Sequence, residues 1–136
     1  MRRPKVNPAE AAQIRDEWLG AVDALRQQVR GWAEQQGWSV TQAEREVTED
    51  EIGIYEVAAL EIDAPQGELI LEPIARFVGG AAGRVDLSVW PSLFRVMLLR
   101  DSNSHWVVHT ESGIDWPNPW GEHTFVDLAK RLLRVA

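Results

Sequence analysis

The chain has 136 residues, 45% of them hydrophobic and 26% charged, the balance of a folded domain long enough to bury a core without cross-links. Its formal charge of −7 argues against nonspecific nucleic-acid binding, which needs Lys and Arg to displace counterions from phosphates, and against docking on an anionic lipid surface. The absence of cysteine excludes disulfides, thiolate catalysis and cysteine-held zinc or iron–sulfur centres.

No apolar run approaches the roughly 20 residues that a membrane-spanning helix needs. The basic start, Met1-Arg2-Arg3-Pro4-Lys5, is not followed by an apolar segment, so no signal peptide is read and a cytoplasmic location is the default expectation. No internal repeat, low-complexity tract or linker interrupts the chain, which is read as one domain over 1–136 with residues 1–6 as a disordered tail. Seven tryptophans are many for this length, and tryptophan serves cores, interface anchors and ligand platforms alike.

In chain order, Asn7-Pro8-Ala9-Glu10 opens a helix: Asn7 can cap it, Pro8 fits the first helical position and Glu10 suits the positive end of the dipole. Ile14, Trp18, Val22, Leu25, Val29 and Trp32 then recur at helical spacing as one stripe, ending at Gly37. A helix over 8–36 is about 43 Å long, enough to cross a sheet. Strands follow at 38–47, 54–62 and 68–72, the last two joined by the turn-forming Asp63-Ala64-Pro65-Gln66-Gly67. Pro73 implies an edge or a bulge. After the loop Gly79-Gly80-Ala81-Ala82-Gly83 come strands at 84–90, 93–100 and 105–110, with connections short enough to force antiparallel hairpins.

The pattern sets the pairing. A turn at Pro91-Ser92 places Val85 beside Leu98, Leu87 beside Val96 and Val89 beside Phe94, so every pair on that face is apolar. A four-residue loop at 101–104 then places Leu98 beside Val107 and Val96 beside His109, with Trp106, Val108 and Thr110 on the face of Arg95. Apolar on both faces except at Arg95, the strand 93–99 reads as central and covered on both sides. The chain closes on a short helix, with Thr124 and Asp127 in a capping-box pattern and Phe125, Leu128, Leu132 and Leu133 as its buried stripe. The class expected is therefore α+β: a long N-terminal amphipathic helix, an antiparallel sheet of about six strands and a short C-terminal helix.

Motifs for chemistry are few. The chain shows no phosphate-binding glycine loop, dinucleotide fingerprint, His-Glu-x-x-His or nucleophile elbow. His105 and His109 on one strand stand roughly 13 Å apart, too far to share a metal. His109 with Glu111 could reach one ion, but a half-buried histidine beside a solvated glutamate is the better reading, so neither metal nor cofactor is expected. Glu56, Glu61, Glu68 and Glu72 read as a solvated face or rim.

Two constellations remain. Arg95, opposite Ser88, near Asp86 on the diagonal and beside Thr110, is a charge in an apolar strand that must be paired or solvated. It reads either as an Arg95–Asp86 ion pair or as an anion-binding arginine in a pocket with Trp90 and Trp106, and the ion pair is preferred. The segment Asp115-Trp116-Pro117-Asn118-Pro119-Trp120-Gly121 reads as a lid on the sheet edge or as an aromatic platform for a partner, through Asp115, Trp116 and Trp120. The expectation is a non-catalytic binding domain engaging a partner protein, which its acidity would make a basic one. The alternatives are an anionic-ligand pocket or enzyme site around Arg95, Asp86, Ser88, Trp90 and Thr110, and a homodimer with a structural role.

Overall fold

The computed structural model describes residues 6–110 and 116–136. Helix α1 spans Pro8–Gln35, where Asn7 accepts the Glu10 amide at 2.8 Å and donates from Nδ2 to Glu10 Oε1 at 2.7 Å. The first bond satisfies an amide that a helix start leaves orphaned, and the second ties the two side chains together. Six strands follow, β1 (Ser39–Glu49), β2 (Gly53–Ala64), β3 (Gly67–Ala75), β4 (Arg84–Trp90), β5 (Arg95–Arg100) and β6 (Trp106–Thr110), and helix α2 (Glu122–Arg134) closes the chain. The strands form one antiparallel sheet in sequence order, so the α+β class and the helix–sheet–helix order expected from the pattern are present. Among the described residues, no helix is long and apolar enough to cross a membrane.

The core lies between the helices and one face of the sheet. The stripe of α1 is buried through Trp18, Val22, Leu25, Val29 and Ala33, with Ile14 and Trp32 partly covered at its ends. Against it stand cross-strand rows whose members are all buried: Leu60–Leu71–Leu87–Val96, Ile62–Leu69–Val89 and Val85–Leu98–Val108. Each such side chain is worth about 1.5–3 kcal/mol in transfer from water. Helix α2 adds Phe125, Leu128, Ala129, Leu132 and Leu133 to the same core.

The β1–β2 ribbon outruns its neighbour. Its register is unbroken from Ser39–Asp63 to Glu49–Gly53, but β2 pairs with β3 only between Leu60 and Ala64. Beyond Leu60 the ribbon is two-stranded, the form that twists most. Burial accordingly passes from Leu60 and Ile62 to residues of the other parity, Tyr55 and Val57. Arg26 of α1 donates to the Ala58 carbonyl at 3.2 Å, where β3 no longer pairs. On the other side of the gap, β3 carries an irregularity between Pro73 and Ala75, as its proline implies.

Four expectations need correction. The β4–β5 register is as expected through Val85–Leu98 and Leu87–Val96, but Phe94, beyond the end of the ladder, is exposed rather than buried beside Val89. The β5–β6 register is one residue away: Leu98 faces Val108 and Val96 faces Thr110. The reason is the turn. Asp101 donates its amide to the His105 carbonyl at 2.9 Å and its carboxylate accepts the Asn103 and His105 amides, while Ser104 takes a φ of 65°. Those backbone bonds hold the Asp101 carboxyl below the usual aspartate range. Asp101 and His105 thus close a three-residue loop, and every β6 side chain changes face. Third, β5 is covered on one face only, since Met97 and Leu99 on the other are half-buried. Fourth, Thr124 is not the cap of α2. The cap is Gly121, and the Thr124 hydroxyl, inside the first turn, donates to the Pro119 carbonyl at 2.6 Å.

Candidate functional site

Asp86, Ser88 and Arg95 come together on the sheet face away from the helices, where Ser88 faces Arg95 and Asp86 faces Met97. Asp86 is buried, and its principal partner is Arg84, two residues earlier on the same strand and therefore on the same face. Arg84 grips it with two bonds, Nε to Oδ1 at 2.7 Å and Nη2 to Oδ2 at 2.8 Å, and this grip raises the Arg84 pKa against the opposing effect of burial. Arg95 stands at 3.7 Å from Oδ2, its side chain half exposed. Arg95 thus stands second to Arg84 at this carboxylate, with about half of its side chain open to solvent. Thr110 is not beside Arg95 in the ladder but opposite Val96. Trp90 lies opposite Glu68 of β3, and Glu68 is pushed up in pKa by burial first and then by Asp63 and Glu61. Trp106 packs on Trp18 of α1 at 6.1 Å between ring centres, so it shares no wall with Trp90.

This geometry separates the roles of the two arginines. Asp86→Ala strands Arg84 and is expected to cost about 1.5–3 kcal/mol. Arg95→Leu removes a long, half-solvated contact and is expected to cost less than about 1 kcal/mol. Urea denaturation of both variants checks this, and equal losses would show that Arg95 is the true counter-ion.

The aromatic segment after β6 folds back on the protein. The Trp116 amide donates to the Val108 carbonyl at 2.8 Å, so this residue meets the outer edge of β6. Arg131 of α2 lies over the Trp116 ring at 4.8 Å, and Trp120 meets Trp32 and Phe125 edge-on at 5.7 and 6.2 Å. Both indoles are half-buried. Asp115, and Glu111 of the metal option, lie outside the described residues. Among those described, no three His, Cys, Asp or Glu side chains gather as a metal site. A cleft of about 660 Å³ runs between α1 and β6, but its charged groups are engaged: Arg100 holds Glu17 at 2.7 Å and Asp101 holds its own turn.

The unforeseen feature is the tip of the β4–β5 hairpin. Trp90, Leu93 and Phe94 are 54%, 57% and 52% exposed, and Val135 after α2 is 48% exposed. Phe94 and Val135 also line an adjoining groove of about 310 Å³ with Arg95, Trp116, Arg131 and Leu132. Leu93 has a φ of 68°, a left-handed conformation that costs a side chain with a Cβ about 1–2 kcal/mol. Its amide donates to the Val89 carbonyl at 2.7 Å, which fixes the turn. The signal in the sequence was the run Trp90-Pro91-Ser92-Leu93-Phe94, three large apolar residues within five positions around a turn. Compared with protein-family models, curated proteins and solved structures, the chain matches none of them.

Proposed function

We propose that this protein is a non-catalytic binding domain that engages a partner protein, and that the partner brings an apolar segment to the β4–β5 hairpin tip and the groove beside α2. The observation that carries the reading is Leu93, a large apolar side chain more than half exposed on a left-handed backbone. Glycine or asparagine would take that conformation at less cost. A strained residue that also displays its side chain to water is best accounted for by what the side chain contacts in a complex. Trp90 and Phe94 add two exposed aromatic rings to the same hairpin tip, the residue types of an interface hot spot. Trp116 and Trp120 support this surface from within: Trp116 floors the groove under Arg131, and Trp120 anchors the start of α2.

Leu93→Gly separates fold from function. It is expected to stabilise the domain by about 0.5–1 kcal/mol, the relief of the left-handed strain less the entropy of glycine. The same change should weaken the complex by roughly tenfold or more. A photo-crosslinker at position 93 identifies the partner, with one at Gln27 on the solvent side of α1 as control, and the complex is then rebuilt from purified proteins. A rebuilt complex indifferent to Leu93→Gly would overturn the reading. Crosslinking of position 93 to a second copy of the chain would replace it by a homodimer.

A further inference from the structure

We propose that the outer edge of β1 takes an added strand, an extended segment of a partner protein that sets lysine or arginine at alternate positions against Glu44 and Glu46. The proposal does not depend on the hairpin-tip reading, since β1 is an edge strand separated from β4 by β2 and β3. It pairs with β2 alone, and among the described residues the main-chain bonds outside the helices and ladders touch it only at its last residue, where Glu49 accepts the Ile52 amide. Midway along, the Glu44 carbonyl takes a bond of 3.3 Å from the neighbouring Arg45 side chain, long enough for a strand's amide to displace. The opposite edge is not open in this way, because the Trp116 amide donates to the Val108 carbonyl of β6. Edge strands are commonly guarded by shortness, proline, lysine or a bulge. β1 has 11 residues, no proline and no lysine, and its register with β2 is unbroken.

What guards β1 is acidity, and acidity selects the occupant. Glu44 and Glu46 are exposed and two apart, so they share a face, on which Glu56 of β2 stands directly opposite Glu46. Like charges opposed in this way destabilise the pair. Among the described residues no cation stands within ion-pair distance of these three glutamates. Arg45 lies on the other face, 3.9 Å from Glu61 and 3.8 Å from Glu72. A strand laid along β1 brings its side chains within about 4.5–5.5 Å of those opposite them. A lysine or arginine there meets Glu44 or Glu46 and offsets the crowding with Glu56, whereas an aspartate or glutamate adds to it. A second copy of the chain is disfavoured on the same ground: two-fold pairing about residue 44 opposes Glu44 to Glu44, and pairing about residue 45 opposes Glu44 to Glu46. Ile54, 63% exposed and opposite Thr48 on the same face, offers an apolar contact at one end. Main-chain bonds thus supply the affinity and the glutamates the choice. The long-range field of a chain with net charge −7 draws in the same kind of partner.

A short peptide alternating Lys and Val tests this by fluorescence polarisation against the whole chain. It should bind, and the same peptide with Glu for Lys should not. Methylating the amides of the Lys residues, or those of the Val residues, separates an added strand from charge attraction, because one set of amides faces β1 and the other faces water. One methylated peptide should bind about as the parent does and the other roughly tenfold or more weakly. The double variant Glu44→Lys/Glu46→Lys should weaken the parent peptide by a similar factor, and Glu44→Gln/Glu46→Gln replaces it if its melting temperature falls. Leu93→Gly should leave the binding unchanged, and a loss there would place the peptide at the hairpin tip and overturn the proposal. Absence of binding overturns it too, as do methylated peptides that bind alike, equal affinities for the Lys and Glu peptides, or indifference to the changes at Glu44 and Glu46. Binding that appears only once residues 1–5 are removed would show that the basic start of the chain holds the edge, and would overturn it as well. Each of these last outcomes leaves the hairpin-tip reading as it was.

Discussion

Glu49→Ala should destabilise the protein by about 3–5 kcal/mol, although Glu49 touches no proposed binding residue. The carboxylate is buried at the end of β1 and accepts three hydrogen bonds: the Tyr55 hydroxyl at 2.6 Å, the Arg76 amide at 3.0 Å and the Phe77 amide at 2.9 Å. The two amides belong to the segment just after β3, past its irregularity, where no strand pairs with them. One side chain thus ties the free β1–β2 ribbon to the segment between β3 and β4. Alanine would leave a hydroxyl and two amides without acceptors, at about 1–3 kcal/mol each where the site stays dry. Tyr55→Phe keeps the two amide bonds and should cost only about 1 kcal/mol. Denaturant unfolding measures both, and a larger loss for Tyr55→Phe than for Glu49→Ala would contradict the latch. A titration gives a second check, because Tyr55 is the one tyrosine of the chain. Burial first, then its bond to Glu49 and the charge there, raise its pKa well above the ordinary value of 10.0. A proton held more tightly in the folded state stabilises below the unfolded pKa and ceases to do so as pH rises through the folded one. Stability should therefore fall as pH passes about 10, and fall less in Tyr55→Phe, while the tyrosinate absorbance stays absent until unfolding.

How far such features were legible depends on the range of the interaction. The stripe of α1 and the β4–β5 register follow from periodicity, because a one-residue slip would put Arg84 and Arg95 into an apolar face. The β5–β6 register did not follow, because it turns on a backbone detail: Ser104 goes left-handed and Asp101 folds back on its own turn. That single residue moved Thr110 to the opposite face from the one expected and took Trp106 to Trp18. Arg84 was legible in principle as the partner of Asp86, since residues two apart on a strand share a face, but the cross-strand diagonal offers Arg95 as an equal candidate and only the side-chain geometry separates them. Glu49 was not legible at all. Its two amide partners lie 27 and 28 residues away, brought near by the curl of a two-stranded ribbon that no local pattern records. The exposed hairpin tip was hidden for the opposite reason: Leu93 and Phe94 are apolar in a strand-like run, so alternation assigns Phe94 to the core, while the turn carries both into solvent.

Gly83→Ala should cost about 2–5 kcal/mol, the other large effect expected. The run from Gly79 to Gly83 looks like a loop in which any glycine is dispensable, and Gly79 does have open space around it. Gly83 is different on two counts. Its φ of 146° lies where residues with a Cβ are strained, and a Cβ there would run into the six-membered ring of Trp18. Neither neighbour can yield cheaply. Trp18 is fully buried and packed on Trp106, so moving the ring disturbs α1 and β6 together. Moving the backbone loosens the Arg100 amide from the Gly83 carbonyl, a bond of 2.9 Å, and with it the adjacent bond of 2.7 Å from the Ala82 amide to the Arg100 carbonyl. Left-handed strain of about 1–2 kcal/mol and overpacking of about 1–3 kcal/mol add to the stated range. Gly20→Ala is the control: Gly20 lies inside α1 with nothing within 4 Å of its added Cβ, and alanine there should stabilise by about 0.5–1 kcal/mol. The source of the Gly83 cost can also be resolved. Trp18→Leu opens the space that the new methyl needs, so Gly83→Ala should cost at least about 1 kcal/mol less in that background. Equal costs in both backgrounds would assign the whole effect to backbone strain and deny the ring contact any part in holding α1 to the sheet.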